Sequence, residues 1–237
     1  MLKIKNLSKT YENGKKAVNR VNIEIKPGEI FGFIGHNGAG KTTTIKCVVG
    51  LIDFDEGEIY VNGISVNNNP IETKKLIAYI PDNPDLYESL TGIQYLNFIS
   101  DIFQVSKDDR NKYIKKYSDM FELTKNLGDL ISSYSHGMKQ KLTIISALIH
   151  QPKLLILDEP FVGLDPKASF LVKEVMKEMC DNGTSVFFST HVLEVAEKLC
   201  NKVAIIKNGS IVAIGTMDEV KGDKSLEDVF LELENNA

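Results

Sequence analysis

A chain of 237 residues, 43% of them hydrophobic, has material for one large domain or two small ones around a sizeable core. The formal net charge is −4 and the Lys and Arg residues are scattered, so no basic stripe offers itself to a nucleic-acid backbone, which argues against nucleic acid as a main partner. The N-terminus Met1 to Asn6 lacks the apolar core of a signal peptide and the run Leu142 to Ile149 is too short to span a bilayer, so a cytosolic location is expected.

Leu2-Lys3-Ile4 and Val21 to Ile25 alternate apolar with polar residues, as half-exposed antiparallel strands do. Glu29 to Ile34 then reads as a buried strand, and Thr43 to Val49 continues as a helix. Between them, Gly35-His36-Asn37-Gly38-Ala39-Gly40-Lys41-Thr42 fits the pattern G-x-x-x-x-G-K-[S/T]. In such a loop, glycines let backbone N–H groups crowd around phosphate oxygens and the lysine reaches the β- and γ-phosphates. The threonine hydroxyl joins the shell of a Mg²⁺ ion, and the helix N-terminus adds its partial positive charge. The chain is therefore expected to bind a nucleoside triphosphate. Cys47 follows this loop closely; it reads either as a thiol whose alkylation would block the nucleotide or as a helix-packing residue. With Cys180 and Cys200 it shows no metal-type or redox-type spacing, and all three read as reduced, mostly buried thiols.

Glu58 to Val61 meets Asn62-Gly63 as a hairpin candidate. Ile77 to Ile80, Leu154 to Leu157 and Ser185 to Phe188 join residues 30–34 as short apolar runs of the kind found inside parallel sheets. Between the second and third runs the period turns helical. Leu96, Ile99, Ile102 and Phe103 fall on one face, Ile114, Tyr117, Met120 and Phe121 on another, and Ser106 with Asp109 resembles a capping box. Tyr134 to Leu142 places Ser135 and Gly137 before an apolar helix, which reads either as a second anion-friendly helix N-terminus or as an ordinary cap and turn.

Leu154 to Glu159 is an apolar strand ending in two carboxylates, the form that delivers acid groups to the ligand-binding edge of a parallel sheet. Asp158 is placed to hold Mg²⁺ through water, and Glu159 to accept a proton from a water attacking the γ-phosphate. Asp165-Pro166 opens a further helix, with Ala168, Leu171, Val172, Val175, Met176 and Met179 on its buried face. Ser189-Thr190-His191 ends another strand, so His191 reaches the same edge, where an imidazole can orient the attacking water. A hairpin, Val203 to Ile206 and Ile211 to Ile214 around Asn208-Gly209, and an acidic helix from Ser225 to Leu233 close the chain. The expectation that carries the rest is that Lys41, Asp158, Glu159 and His191 converge on one triphosphate.

In this order, and over nearly the whole chain, these motifs resemble the nucleotide-binding subunits of ATP-binding cassette (ABC) transporters. Ser135 to Gln140 is similar to the family's signature motif, Asp158-Glu159 to the end of its Walker B strand, Gly163 to Pro166 to its D-loop, and His191 to its switch histidine. Tyr11 resembles the aromatic residue that stacks on adenine, or is a surface tyrosine. The resemblance implies an α/β fold of the P-loop NTPase (RecA-like) type, with a small antiparallel β subdomain and an inserted α-helical subdomain. On this division residues 1–87 and 151–237 form the nucleotide-binding core and residues 88–150 the insertion, within a single domain of residues 1–237.

The implied nucleotide-binding set is Tyr11, Gly35, His36, Asn37, Gly38, Ala39, Gly40, Lys41, Thr42, Thr43, Ser135, Gly137 and Asp165. Thr42, Asp82 and Asp158 are the implied Mg²⁺ contacts, and Glu159 and His191 the catalytic residues. ATP and Mg²⁺ are the implied cofactors, and a head-to-tail dimer with a second copy or a homologue the implied assembly. An integral membrane permease, met on the inner face of the cell membrane, is the implied partner, with Leu86, Tyr87 and Leu90 as candidate contacts or as packing residues of the insertion.

Two positions depart from the family pattern: His136 stands where the signature usually has glycine, and Asp82 where a glutamine is usual. The run Gly137-Met138-Lys139-Gln140-Lys141-Leu142 is similar to that of bacterial exporter subunits and favours export. The rival readings are a soluble ABC-type ATPase without a membrane partner, for example in iron–sulfur assembly, and a nucleotide-switched regulator. Against the latter, Asn201-Lys202-Val203-Ala204 fails the guanine-reading pattern at its last position.

Overall fold

The computed structural model describes residues 1–235. In chain order it runs β1 (Leu2–Thr10), β2 (Lys16–Ile25), β3 (Ile30–Ile34), α1 (Lys41–Val48), β4 (Glu56–Val61), β5 (Ile64–Ser65), α2 (Pro70–Leu76) and β6 (Ile77–Ile80). It continues with α3 (Gly92–Ile102), α4 (Lys107–Met120), α5 (His136–Ile149), β7 (Leu154–Asp158), α6 (Pro166–Asp181) and β8 (Ser185–Thr190). The last elements are α7 (Leu193–Leu199), β9 (Lys202–Lys207), β10 (Ser210–Thr216), α8 (Met217–Lys221) and α9 (Leu226–Asn235).

Among the described residues the strands form two sheets, an antiparallel one in the order β2-β1-β4-β5 and a mixed one in the order β10-β9-β3-β8-β7-β6. In the second sheet every neighbouring pair is parallel except the edge hairpin β9–β10. Its interior strands alternate between two apolar layers. Ile30 and Ile34 of β3 and Leu155 and Leu157 of β7 face the layer that holds α5 and α6. Phe31, Phe33, Leu154 and Ile156 face the layer closed by the antiparallel sheet. Phe187 of β8 meets Phe31 edge-on at 5.9 Å and Phe33 at 5.5 Å. Truncating this fully buried ring to alanine would cost about 3–5 kcal/mol.

The helices between β6 and β7 pack on that sheet through α5, whose residues Leu142 to Ile149 are all buried. Thr91 and Gln94 form a reciprocal capping box that starts α3. At α4 the expected box is only half made: Ser106 Oγ accepts from the Asp109 N–H, but the Asp109 carboxylate takes the Ser106 hydroxyl rather than its N–H. Ile102 departs from its expected face. It is 57% exposed at the last turn of α3, while Leu96 is fully buried and Phe103 turns back to stack on His150 at 3.7 Å. No helix among the described residues is long and apolar enough to cross a membrane.

Candidate functional site

The order of the mixed sheet assembles the site. Strands β3, β8, β7 and β6 lie side by side and parallel, so the segments leaving their carboxyl ends carry Lys41, His191, Asp158 with Glu159, and Asp82 to one edge. Registers fix the level: Ile34 faces Thr190, Asp158 faces Ser189, and Ile80 faces Leu157.

The loop after β3 wraps around the N-terminus of α1. Gly40, the residue before that helix, has φ +112°, and a Cβ there would come within 2.4 Å of the Ala17 carbonyl oxygen. Only glycine fits, which is what lets the loop close tightly. The buried Lys41 Nζ donates to the carbonyl oxygens of Gly35 at 2.7 Å and His36 at 3.3 Å, and lies 3.3 Å from Glu159 Oε1. Thr44 Oγ1 donates back to the Gly40 carbonyl at 2.9 Å, leaving the exposed Thr42 hydroxyl free of any role in the helix ladder.

Glu159 follows β7 in a left-handed conformation, φ +50°, uncommon for a side-chain-bearing residue. That turn aims its carboxylate inward: Oε1 faces Lys41 and Oε2 meets His191 Nδ1 at 2.9 Å. Its backbone is held too, since the Glu159 N–H donates to Ser189 Oγ at 3.0 Å. The same hydroxyl donates to Asp158 Oδ1 at 2.5 Å, so β8 orients both acids of β7. Asp158 is 1% exposed, whereas the His191 side chain is 48% exposed.

A cavity of about 210 Å³ opens beside these groups. Of the residues singled out in the sequence, Tyr11, His36, Asn37, Gly38, Gly40, Lys41, Thr42, Thr43, Asp82 and Glu159 line it. The exposed Tyr11 is tied in by a 3.1 Å hydrogen bond between its hydroxyl and Thr43 Oγ1. Gly35 and Ala39 are buried and do not line it. Ser135, Gly137 and Asp165 do not line the cavity: Ser135 caps α5 by accepting from Met138 N–H at 3.3 Å, and Asp165 caps α6 by accepting from Ala168 N–H at 2.7 Å. Lys141 lies 3.2 Å from the Asp165 carboxylate, which is held below the usual carboxylate range first by that backbone N–H and then by the lysine. Lys15 and Ala17 also line the cavity and were not singled out. Their signal is the turn after Tyr11, where Tyr11 N–H donates to the Lys15 carbonyl and brings the start of β2 over the loop.

Cys47 lies fully buried in α1 and burial pushes its thiol up to about 12, which favours packing over reactivity. Leu86 is buried against the helical layer, Leu90 packs partly on it, and Tyr87 points outward, 58% exposed.

The chain is similar to known proteins over nearly its whole length. The family described as ABC transporter matches residues 18–162. The chain is 37% identical over 238 residues to the "ABC-type transporter ATP-binding protein EcsA" of Bacillus subtilis (strain 168), covering 98% of this chain and 96% of that one. A solved structure titled "Structure of ATP binding subunit of ABC transporter" superposes with a TM-score of 0.95 at 35% identity, over 99% of both chains. The ATP-binding cassette MJ0796, in a dimeric post-hydrolysis state bound to ADP and Pi, superposes with a TM-score of 0.83 at 25% identity, over 92% of this chain and 99% of that one.

Proposed function

The chain belongs to the ABC transporter family and is an ATP-binding cassette ATPase, and we propose that it energises a membrane permease by ATP-driven head-to-tail dimerisation. The triphosphate lies in the loop of residues 35–42, with Tyr11 against the base and Lys41 on the β- and γ-phosphates. Glu159 takes a proton from the attacking water, and His191 holds Glu159 and the water in line. The observation that carries this reading is the contact chain Lys41–Glu159–His191 at 3.3 and 2.9 Å beside a cavity lined by the loop of residues 36–43 and by Tyr11.

The donors offered to a metal are oxygen only: the Thr42 hydroxyl and the Asp82 carboxylate at the cavity, and Asp158 at the end of β7. This set fits Mg²⁺, which prefers hard oxygen ligands and keeps water and phosphate in most of its positions. When bound, the ion neutralises charge on the phosphates during transfer. Asp82 is shorter than glutamine, so it is suited to contact through a water.

Ser135, Gly137 and Asp165, which lie off the cavity of their own chain, are assigned to the triphosphate held by a second subunit. The dimeric ADP- and Pi-bound relative supports that arrangement. Tyr87, exposed beside Phe98 at 5.6 Å, is the contact assigned to the permease, and with that assignment goes a place for the chain on the inner face of the cell membrane. The run Gly137 to Leu142 supports export as the direction.

The test is a Glu159→Gln chain. It is expected to bind a fluorescent ATP analogue, to dimerise with ATP in light scattering, and to release almost no phosphate. Co-purification of the native chain with a multi-span membrane protein is expected; its recovery from cells only in the soluble fraction, with ATP turnover intact, would overturn the permease assignment.

A further inference from the structure

His136 occupies the first turn of α5 and is exposed, yet its ring is in close contact with another segment of its own chain. Gly163 lies in the connection from Glu159 to the Asp165 cap of α6, at φ +78°, and a Cβ there would fall 2.5 Å from both Cδ2 and Nε2 of His136. The imidazole therefore fills the space that any side chain at residue 163 would need. The Gly163 carbonyl oxygen in turn lies 3.6 Å from where a Cβ of Gly137 would stand, so the glycine of one segment abuts the glycine of the other. One turn further along α5, Lys141 is ion-paired to Asp165 at 3.2 Å. The first turns of α5 are thus fastened at two levels to the segment that begins at Glu159.

We infer that His136 is a positioning residue for ATP hydrolysis: its ring, packed on Gly163, fixes the connection of residues 159–165 against α5 and so sets the place of Glu159. Part of the bulk that glycine would lack at residue 136 is laid against Gly163 of the same protomer. With the Asp165–Lys141 pair as the second tie, a displacement of the α5 N-terminus is carried to the Glu159 turn as a rigid shift, because the backbone between them is held at both ends. The inference rests on the reading of Glu159 as the group that activates water.

The experiment is a double-mutant cycle on the full chain, read as kcat and KM for ATP. His136→Ala is expected to lower kcat about tenfold with KM changed less than about twofold, and His136→Phe, which keeps a flat ring, to restore kcat to within about threefold of the parent. Gly163→Ala is expected to cost about 30-fold in the parent, where the new methyl meets the ring, and only about threefold more in the His136→Ala background, where backbone strain alone remains. Equal costs of Gly163→Ala in the two backgrounds, or His136→Phe as slow as His136→Ala, would overturn the inference. Should Gly163→Ala fail to fold, the Ala and Phe variants at residue 136 decide alone. A Glu159→Gln chain that still hydrolyses ATP removes Glu159 as the base but leaves the coupling of residues 136 and 163 measurable, so the two failures are distinct.

Discussion

The Glu159 carboxylate stands 3.3 Å from the Lys41 ammonium, so the acid proposed to activate water is ion-paired to the cation proposed to hold the phosphates. The pair is screened from solvent, with side-chain exposures of 6% for Lys41 and 13% for Glu159. On the proposed reading a triphosphate in the loop would compete for Lys41 and leave Glu159 to His191, whose Nδ1 lies 2.9 Å from the other carboxylate oxygen. Binding would thereby ready the proposed base. Glu159→Gln keeps the shape and loses the charge, so ATP affinity is expected to stay within a fewfold while the hydrolysis rate falls about 10²- to 10⁴-fold. Steady-state phosphate release and fluorescent-nucleotide titration, run on the same preparation, check the two halves separately.

Lys41→Ala removes three contacts at once, to the Gly35 and His36 carbonyls and to Glu159. Loss of ATP binding by about 100-fold or more is expected, since a desolvated charge on phosphate contributes several hydrogen bonds. Undiminished titration of a fluorescent ATP analogue would remove the loop from its assigned role. The same variant leaves the Glu159 carboxylate in a shielded place without its lysine, so a lowered melting temperature is expected as well.

His191 holds Glu159 by a single 2.9 Å contact from an exposed position, and it carries no part of the core. His191→Ala is therefore expected to leave the melting temperature within a degree or two and to lower kcat about 10- to 100-fold through misalignment of the base and its water. A His191→Ala chain that hydrolyses ATP at the parental rate would assign the orienting role elsewhere.

Much of this arrangement was legible because its signals are local. The phosphate loop is one contiguous pattern, and β3, β7 and β8 are buried on both faces, so each shows a short apolar run without the alternation of a half-exposed strand. The strand β9 was harder to read. Its Asn208-Gly209 turn announces the hairpin with β10, but its parallel pairing with β3 joins residues far apart in sequence and leaves no local trace. The packing of His136 on Gly163 is hidden for the same reason: each residue looks ordinary beside its neighbours, and only the fold brings ring and glycine together. Ile102 shows the converse limit. Helical periodicity puts it with Leu96, but α3 ends there and the chain turns so that Phe103 stacks on His150, leaving Ile102 in solvent. The left-handed turn at Glu159 had no sequence signal, since neither glycine nor asparagine marks it.

Cys47 follows from burial alone. With its thiol raised to about 12, roughly one part in ten thousand is thiolate at pH 8, against roughly a quarter for a free cysteine. Native-state labelling with a thiol reagent at pH 8 is expected to be about 10³-fold slower than in denaturant, and added nucleotide is expected not to change it. Rapid modification that ATP protects against would instead put the thiol within reach of the site. Above about pH 8.5 the unfolded chain sheds this proton while the folded chain keeps it, so stability from this group falls as pH rises from there toward 12.

His150 gives the opposite slope on the acid side. Its ring stacks on Phe103 at 3.7 Å with an 11° tilt, Nε2 lies 3.3 Å from the Ile77 carbonyl oxygen, and Nδ1 is buried without a partner. Burial lowers its pKa to about 4, with the Ile77 carbonyl opposing that shift. Between about pH 6.5 and 4 the unfolded chain binds a proton here and the folded chain does not, so stability falls as pH drops through that window and levels off below it. A shift of this size corresponds to about 3 kcal/mol across the window. His150→Phe keeps the stack and removes the titration, so urea midpoints of the variant are expected to change less than those of the parent between pH 7 and pH 4.5. Parallel pH profiles for the two chains would mean that His150 charges freely while folded, and that the acid sensitivity of the fold arises at other groups.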